Sequence, residues 1–133
     1  MELRKLQKIV VDALEDIKGR DIDVINTSKI SSLFDRVVVA SGDSNRQVRA
    51  LARNVSEKVR EAGGEVISIE GEDNGEWILV DLGDIVVHVM QPSVRNYYAL
   101  EDLWTSTPAS RKRVEAKAGK PGLVKASEDA DEA

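Results

Sequence analysis

Two apolar segments near the middle of the chain, residues 76–81 and 84–90, constrain the fold more than any other feature. Both are rich in β-branched side chains, and only Leu82-Gly83 separates them. A two-residue connection between such segments predicts a β-hairpin. The fold must therefore contain at least one antiparallel strand pair.

Side-chain alternation gives this hairpin two chemically different faces. The first face is plain aliphatic and suits a helix-covered core: Ile78, Val80, Ile85, Val87 and Val89. The second face carries the larger and more polar side chains: Trp77, Leu79, Val86, His88 and Met90. With Leu82-Gly83 as the centre of the turn, the predicted opposite pairs are Asp81 with Asp84, Leu79 with Val86, and Trp77 with His88.

The second face has two interpretations. If helices leave it open, it is an exposed apolar patch with Glu76, Asp81 and Asp84 at its rim, which is typical of a protein interface. If a helix covers it, it is simply a second core. Trp77 is expected to be at least half buried in either case. A lone histidine on a strand, such as His88, is more often a structural residue than a ligand.

Helical periodicity predicts two amphipathic helices before the hairpin. Helix one ends at Gly19, and its apolar face holds Leu3, Leu6, Val10, Ala13, Leu14 and Ile17. Helix two begins with a capping box from Ser44 to Gln47 and ends at Gly63-Gly64. Its core-facing residues are Val48, Leu51, Ala52, Val55, Val59 and Ala62, and its other side carries Arg46, Arg49, Arg53 and Arg60.

Further strands are predicted at residues 21–26, 36–40 and 65–70. The 36–40 segment is almost entirely apolar, which indicates a central strand buried on both faces. In the connection before it, Ile30, Leu33 and Phe34 are expected to point inward. A last helix begins at Pro92 and runs to about Trp104. The order α-β-β-α-β-β-β-α predicts an α/β fold, a single domain with a mixed, roughly five-stranded β-sheet packed by helices.

Composition and charge exclude several functional classes. The chain has no cysteine and one histidine, so disulfide scaffolds, cysteine-ligated zinc sites and thiol catalysis are excluded. No apolar run suits a signal peptide or a membrane span, and we expect a reducing compartment. Residues 1–104 contain 13 Lys/Arg and 19 Asp/Glu, a net −6, which suits a basic protein partner better than a phosphate backbone. Residues 105–133 carry few large apolar side chains, so they are expected to form a largely disordered charged tail.

Four motifs in the order found here resemble those of the ribosomal silencing factor (Iojap-like) family. They are SKISSL at residues 28–33, VVASGDSNRQVRALA at 38–52, EG and GEWILVDLGDIVVHVM at 70–71 and 75–90, and RNYYALEDLW at 95–104. Together they cover nearly all of residues 3–104 at compatible spacing, so the resemblance is specific. Two positions depart from the pattern, because the family often has aromatic residues where this chain has Arg36 and Met90.

The resemblance implies a cytoplasmic, non-enzymatic repressor of translation that uses no cofactor and no metal. Family members bind the large ribosomal subunit at its protein fourteen, on the face toward the small subunit, and block subunit joining when nutrients are short. Organellar relatives act in mitochondria and plastids. The family also implies a nucleotidyltransferase-like topology without an active site, and a homodimer. The domain would span residues 1–104.

The expected partner-binding surface is the second hairpin face, its acidic rim and a tyrosine of the last helix. The residues are Trp77, Leu79, Asp81, Asp84, Val86, His88, Tyr98 and Glu76. Trp77 is the expected apolar anchor, because aromatic side chains dominate binding hot spots. The carboxylates are expected to pair with Lys and Arg of the partner.

Two alternatives stay open. The arginines Arg46, Arg49 and Arg53 could contact nearby ribosomal RNA or an acidic dimer partner, although a solvated helix face without interleaved aromatic residues is the preferred interpretation. A nucleotidyltransferase-like enzyme would need a Gly-Ser turn before magnesium-binding carboxylates. Ser41-Gly42 suggests such a turn, but the Asp21/Asp23 pair precedes it in sequence, so solvated carboxylates are preferred.

Overall fold

The computed structural model describes residues 1–98, with side chains described as far as Arg95. Its elements are α1 (Leu3–Asp16), β1 (Arg20–Asn26), β2 (Arg36–Ser41), α2 (Asn45–Glu61), β3 (Ser68–Glu70), β4 (Trp77–Asp81), β5 (Ile85–Met90) and α3 (Pro92–Tyr98). The predicted order of helices and strands is confirmed. The predicted continuation of the last helix to Trp104 and the tail at 105–133 lie outside the described residues.

The five strands form one mixed sheet in the order β1-β2-β5-β4-β3. β2 and β5 are parallel, and the other neighbours are antiparallel. A parallel pair needs a crossover, and the segment from α2 to β4 provides it. The prediction that β2 is central and buried on both faces is confirmed, because Val37, Val38, Val39 and Ala40 have no exposed surface.

The hairpin turn lies one residue later than predicted. Gly83 and Asp84 form the two-residue loop, and the Leu82 N–H donates to the Ile85 carbonyl over 2.9 Å. Gly83 has φ +91°, which suits the first position of a tight hairpin turn, and the Asp81 carboxylate accepts its N–H at 2.9 Å. The predicted pairs are therefore wrong. The observed pairs include Asp81 with Val86, Leu79 with His88 and Trp77 with Met90.

This shift displaces the pairing by two residues, so every side chain keeps its predicted face. α1 and α2 both pack on the first face, where Ile78, Val80, Ile85, Val87 and Val89 join the main hydrophobic core. The Arg36 guanidinium, at the β1 side of the same face, donates to the Gln7 amide of α1 at 3.2 Å. The aliphatic, helix-covered character of the first face is confirmed.

The two long helices end in the same hydrogen-bond pattern on different residues. In α1 the left-handed residue after the cap is Lys18, with φ +64°, and Gly19 comes one position later. In α2 the corresponding residue is Gly63, with φ +90°. The predicted helix stop at Gly19 was thus one position late, because the left-handed residue is Lys18. Gly19 is instead favoured by close packing, because a Cβ there would lie 3.0 Å from the Leu14 carbonyl oxygen.

The start of α2 confirms the predicted cap. The Ser44 hydroxyl accepts the Gln47 N–H at 3.1 Å. The Gln47 side chain does not return to the Ser44 N–H as in a full capping box; it accepts the Asp43 N–H at 2.7 Å. It also donates to the Ile17 carbonyl at 3.1 Å, so it fastens the start of α2 to the end of α1.

Two segments differ from the sequence prediction. Leu33 and Ile30 are 80% and 41% exposed, so the expectation that they point inward was wrong. Thr27 closes the loop by bonding the Asp35 and Phe34 carbonyls, and Phe34 is the loop side chain that packs on the sheet. β3 covers only Ser68–Glu70 rather than 65–70, because β4, the one strand within residues 1–98 that pairs with it, ends at Asp81 opposite Ser68.

Candidate functional site

The candidate site is the second face of the sheet, opposite α1 and α2. One row of side chains crosses all five strands on this face: Asp23, Val39, His88, Leu79 and Glu70. A small core cluster of Val37, Val39, Trp77 and Met90 lies on this face, with Ile25, Phe34 and Val94 of α3 packed against it. Leu79, His88 and Asp81, by contrast, are only partly buried. The second face is therefore covered in part and open in part.

Trp77 and His88 are joined by a hydrogen bond. The Trp77 Nε1–H donates to His88 Nδ1 over 3.0 Å, and the ring centroids are 5.9 Å apart. Burial lowers the pKa of His88 to about 4. The imidazole is therefore neutral at pH 7, and because Nδ1 accepts, its proton is on Nε2.

The predicted partner-binding residues differ in exposure. Trp77 is 5% exposed and Val86 is 7% exposed, so both are core residues of this face. The expectation that Trp77 is at least half buried is confirmed. Leu79, Asp81 and His88 keep part of their surface open. Only the backbone of Tyr98 is described, as the last residue of α3.

The acidic rim residues do not form one cluster. Glu76 precedes β4 at the end of the sheet where α3 begins, and its carbonyl accepts the Gln91 N–H at 3.0 Å. Asp84 lies in the hairpin loop at the opposite end, and both carboxylates are exposed. Asp81 is between them and partly buried. The rim thus flanks the open part of the face along the hairpin.

Two residues of β3 belong to this surface and were not among the predicted site residues. Ser68 lies opposite Asp81, and Glu70 lies opposite Leu79, so both share the second face. Both are partly exposed. The alternation of residues 65–70 in the sequence was the available signal, but their face depends on the register with β4. Glu70 adds a fourth carboxylate to this surface, directly opposite Leu79.

Arg95 of α3 is a third residue that was not among the predicted site residues. It is 8% exposed; its guanidinium donates to the Ser41 hydroxyl at 2.8 Å and to the Asp23 carboxylate at 3.0 Å. These bonds fasten α3 to β1 and β2 beside a cavity of about 430 Å³ that Arg20 and Asp21 also line. No sequence signal marks an arginine for burial, because the site exists only once α3 lies on the sheet.

The same contacts bear on the enzyme alternative. Asp23 is bonded to Arg95, and Asp43 of the Ser41-Gly42 turn is paired with Arg20. One of the two carboxylates that an enzyme would offer to a metal, Asp23, is therefore ion-paired with an arginine, and so is the carboxylate of the turn. Within residues 1–98, no three His, Cys, Asp or Glu side chains are grouped so that they could hold a metal ion.

The arginines of α2 are not equivalent. Arg49 donates to the carbonyl of Glu72 at 2.9 Å and to that of Asp73 at 2.7 Å, so its guanidinium is bonded to the turn between β3 and β4. Arg46 and Arg53 are exposed, and neither has a hydrogen bond or ion pair to another residue in 1–98. Of the three arginines considered as an RNA contact, Arg49 is therefore tethered, whereas Arg46 and Arg53 are open.

No helix within the described part of the chain is both long and apolar enough to cross a membrane. The described helices and the sheet account for one layered α/β unit.

Comparisons with known proteins agree with the motif analysis. The family model described as "ribosomal silencing factor during starvation" matches residues 1–133. A ribosomal silencing factor from Chromobacterium violaceum is 57% identical over 104 residues, which is 78% of this chain and 85% of that protein. A mouse protein named for mitochondrial assembly of the ribosomal large subunit is 33% identical over 100 residues, 73% of this chain and 44% of its own length.

Solved structures give the same result. A crystal structure of a Chromobacterium violaceum protein superposes with a TM-score of 0.78 at 55% identity, covering 80% of this chain and 89% of that one. The mixed five-stranded sheet with its helices is thus shared with an experimentally determined structure. Family model, sequence relatives and fold all lead to one assignment. This chain belongs to the ribosomal silencing factor family.

Proposed function

We propose that this protein represses translation by binding the large ribosomal subunit at its protein fourteen and sterically blocking the small subunit. Family membership supports the silencing role, and the name of the mouse relative connects that protein with the large subunit. No chemical step is required, only an affinity that competes with subunit association. The protein is expected to act in the cytoplasm, as a non-enzymatic homodimer.

The observation that carries the proposal is the open part of the second sheet face. Leu79 and His88 offer an apolar centre, and Asp81 and Glu70 lie beside it. Protein interfaces combine such an apolar centre with a polar rim. A neutral His88 can be desolvated at much lower cost than a charged one, and its Nε2–H is a donor that a partner carbonyl can accept.

The burial of Trp77 changes its proposed part in binding. At 5% exposure it is too covered to insert into a partner pocket, so Leu79 is the better apolar contact. Trp77 and Val86 would support the surface from beneath, with Trp77 orienting His88 through its hydrogen bond. The carboxylates of Asp84 and Glu76 would attract Lys and Arg at the two ends of the hairpin.

The test is co-sedimentation with isolated large ribosomal subunits, followed by competition with small subunits. We expect wild-type protein to sediment with large subunits and to be displaced by an excess of small subunits. Asp84→Lys should weaken binding about tenfold. Glu57→Lys is the matched control, since it makes the same charge change at an exposed position of α2 and should bind like wild type.

Each result has a definite meaning. Absence of wild-type binding at modest salt would contradict the function itself. Binding that small subunits cannot displace would contradict the intersubunit location. If Asp84→Lys and Leu79→Ser both bind like wild type while Arg46→Ala and Arg53→Ala do not, the partner surface is the exposed side of α2, as in RNA binding.

A further inference from the structure

We propose that Arg49 is a positioning residue for partner binding: it holds the turn between β3 and β4 so that Glu76 is presented at the edge of the interface. This inference rests on the proposed function, because it concerns the same surface. It assigns Arg49 a part that differs from direct contact with RNA. Three features of the segment from Gly71 to Glu76 support this role.

The first feature is the pair of hydrogen bonds from Arg49. Its Nε and Nη2 donate to two successive backbone carbonyls, those of Glu72 and Asp73, at 2.9 and 2.7 Å. The fork geometry of a guanidinium allows this double contact, whereas a lysine ammonium is a point donor at the end of a flexible chain. The contact joins α2, which packs on the first face of the sheet, to the turn that precedes β4. The side chains of the proposed interface begin on the second face directly after this turn.

The second feature is the glycine content of the turn. Gly71 and Gly75 have φ values of +92° and +77°, and the Gly75 N–H donates to the Gly71 carbonyl at 3.1 Å. A Cβ on Gly75 would lie 2.9 Å from the Arg49 Cζ, so the guanidinium packs directly on the glycine backbone. Glycines in a turn carry a large conformational entropy. The contact with Arg49 restricts the conformations that these two glycines can adopt.

The third feature is the position of Glu76 directly after this turn. Its carbonyl accepts the Gln91 N–H, which fixes one side of the residue to the start of α3. The turn held by Arg49 fixes the other side. The exposed Glu76 carboxylate is thereby kept at the end of β4, next to Trp77. Without Arg49, Glu76 would sample more conformations and binding would have to order it.

The experiment compares the full-length wild type with Arg49→Ala, Arg49→Lys and Arg53→Ala. Arg53→Ala removes the same charge one helical turn later, where the side chain is exposed. We expect amide exchange in residues 71–76 to accelerate about tenfold in both Arg49 variants and to stay unchanged in Arg53→Ala. Affinity for isolated large subunits should fall about fivefold in both Arg49 variants only.

A double-mutant cycle separates positioning from mere stabilisation. If Arg49 acts through Glu76, then Arg49→Ala and Glu76→Gln should each weaken binding about fivefold, and the double variant should bind no more weakly than either single one. If the two losses multiplied, so that the double variant bound about 25-fold more weakly than wild type, the proposal would be overturned. Full rescue by Arg49→Lys, or an equal loss in Arg53→Ala, would also overturn it, since either points to a direct charge contact.

Failure of the proposed function can be distinguished from failure of the positioning role of Arg49. If wild-type protein does not bind large subunits, the proposed function and the binding part of this inference both fail. Unchanged exchange at 71–76 in a binding-competent Arg49→Ala variant would contradict the positioning role alone.

Discussion

The two faces of the central sheet are built from the same strands but stabilised in different ways. The first face is mainly aliphatic and its centre is covered by α1 and α2, so its stability comes mainly from burial. The second face mixes apolar side chains with a Trp–His hydrogen bond and a buried arginine, and part of it is open. The difference indicates that one face holds the fold together while the other is available for contact.

Neighbouring residues on β4 give the largest test of this comparison. Ile78 is fully buried on the first face, and Leu79 is partly exposed on the second. Ile78→Ala should lower the free energy of unfolding by roughly 3 kcal/mol, because it leaves a cavity in the packed core. Leu79→Ala should cost only about 1 kcal/mol. Urea unfolding checks both, and equal losses would contradict the assignment of the open face.

The second test uses pH and His88. Its pKa is lowered from 6.5 to about 4 in the folded state, so the unfolded chain binds a proton more readily. This contribution to stability is complete above pH 6.5 and is lost as the pH falls toward 4. The loss should approach about 3 kcal/mol. Urea unfolding between pH 7 and 4 measures it.

His88→Gln is the control for this pH dependence. Glutamine retains an acceptor for the Trp77 indole but does not titrate. The difference in unfolding free energy between wild type and this variant should shrink as the pH falls. A constant difference from pH 7 to 4 would show that the folded state does not discriminate against the charged imidazole.

Arg95 tests the polar part of the second face. Arg95→Ala should cost roughly 2 kcal/mol, since it removes bonds to Ser41 and Asp23 and leaves the buried Ser41 hydroxyl without that donor. Asp23→Ala should cost about 1 kcal/mol or less, because its carboxylate is more than half exposed. Thermal or urea unfolding compares the two. If Asp23→Ala lowered the free energy of unfolding more than Arg95→Ala, this would contradict the conclusion that the buried Arg95 side chain contributes most of the stability of this contact.

The smallest effect concerns the helices that cover the first face. Lys18→Gly should stabilise the protein by about 0.5 kcal/mol, because glycine adopts φ +64° without the strain of a Cβ. Gly63→Ala should destabilise it by about 1 kcal/mol for the opposite reason. Urea midpoints resolve both changes. Opposite signs are the expected outcome, and a destabilised Lys18→Gly variant would show that Lys18 contributes through its side chain.

Much of the fold could be predicted because it depends on local pattern. Periods of 3.6 and 2 gave the helices and strands, and alternation gave the two faces of the hairpin. The turn position was wrong by one residue, since Leu82-Gly83 and Gly83-Asp84 are both acceptable turn sequences. The prediction of which side chains share a face stayed correct only because this error displaced the strand pairing by two residues. Leu33 was misplaced because an apolar side chain in a loop carries no periodicity to show its direction.

The candidate site was less predictable from the sequence, because its residues are brought together by contacts that local pattern does not show. Glu70 and Ser68 join Leu79 and Asp81 through strand pairing, which spans about ten residues of sequence. Arg49 and Arg95 look alike in the sequence as exposed helical cations. One is bonded to a turn and the other is buried against the sheet. Neither contact is encoded by spacing within its own helix.

The sequence by itself determined the element order, the aliphatic face, the family resemblance and the acidic balance of residues 1–104, because each depends on neighbours in the chain or on composition. The tertiary structure decided which part of the second face stays open, that Trp77 is buried within this face, and which arginines are hydrogen-bonded to other elements. Those properties depend on which elements pack together across the sheet, and burial arises only from contacts between residues that are distant in sequence.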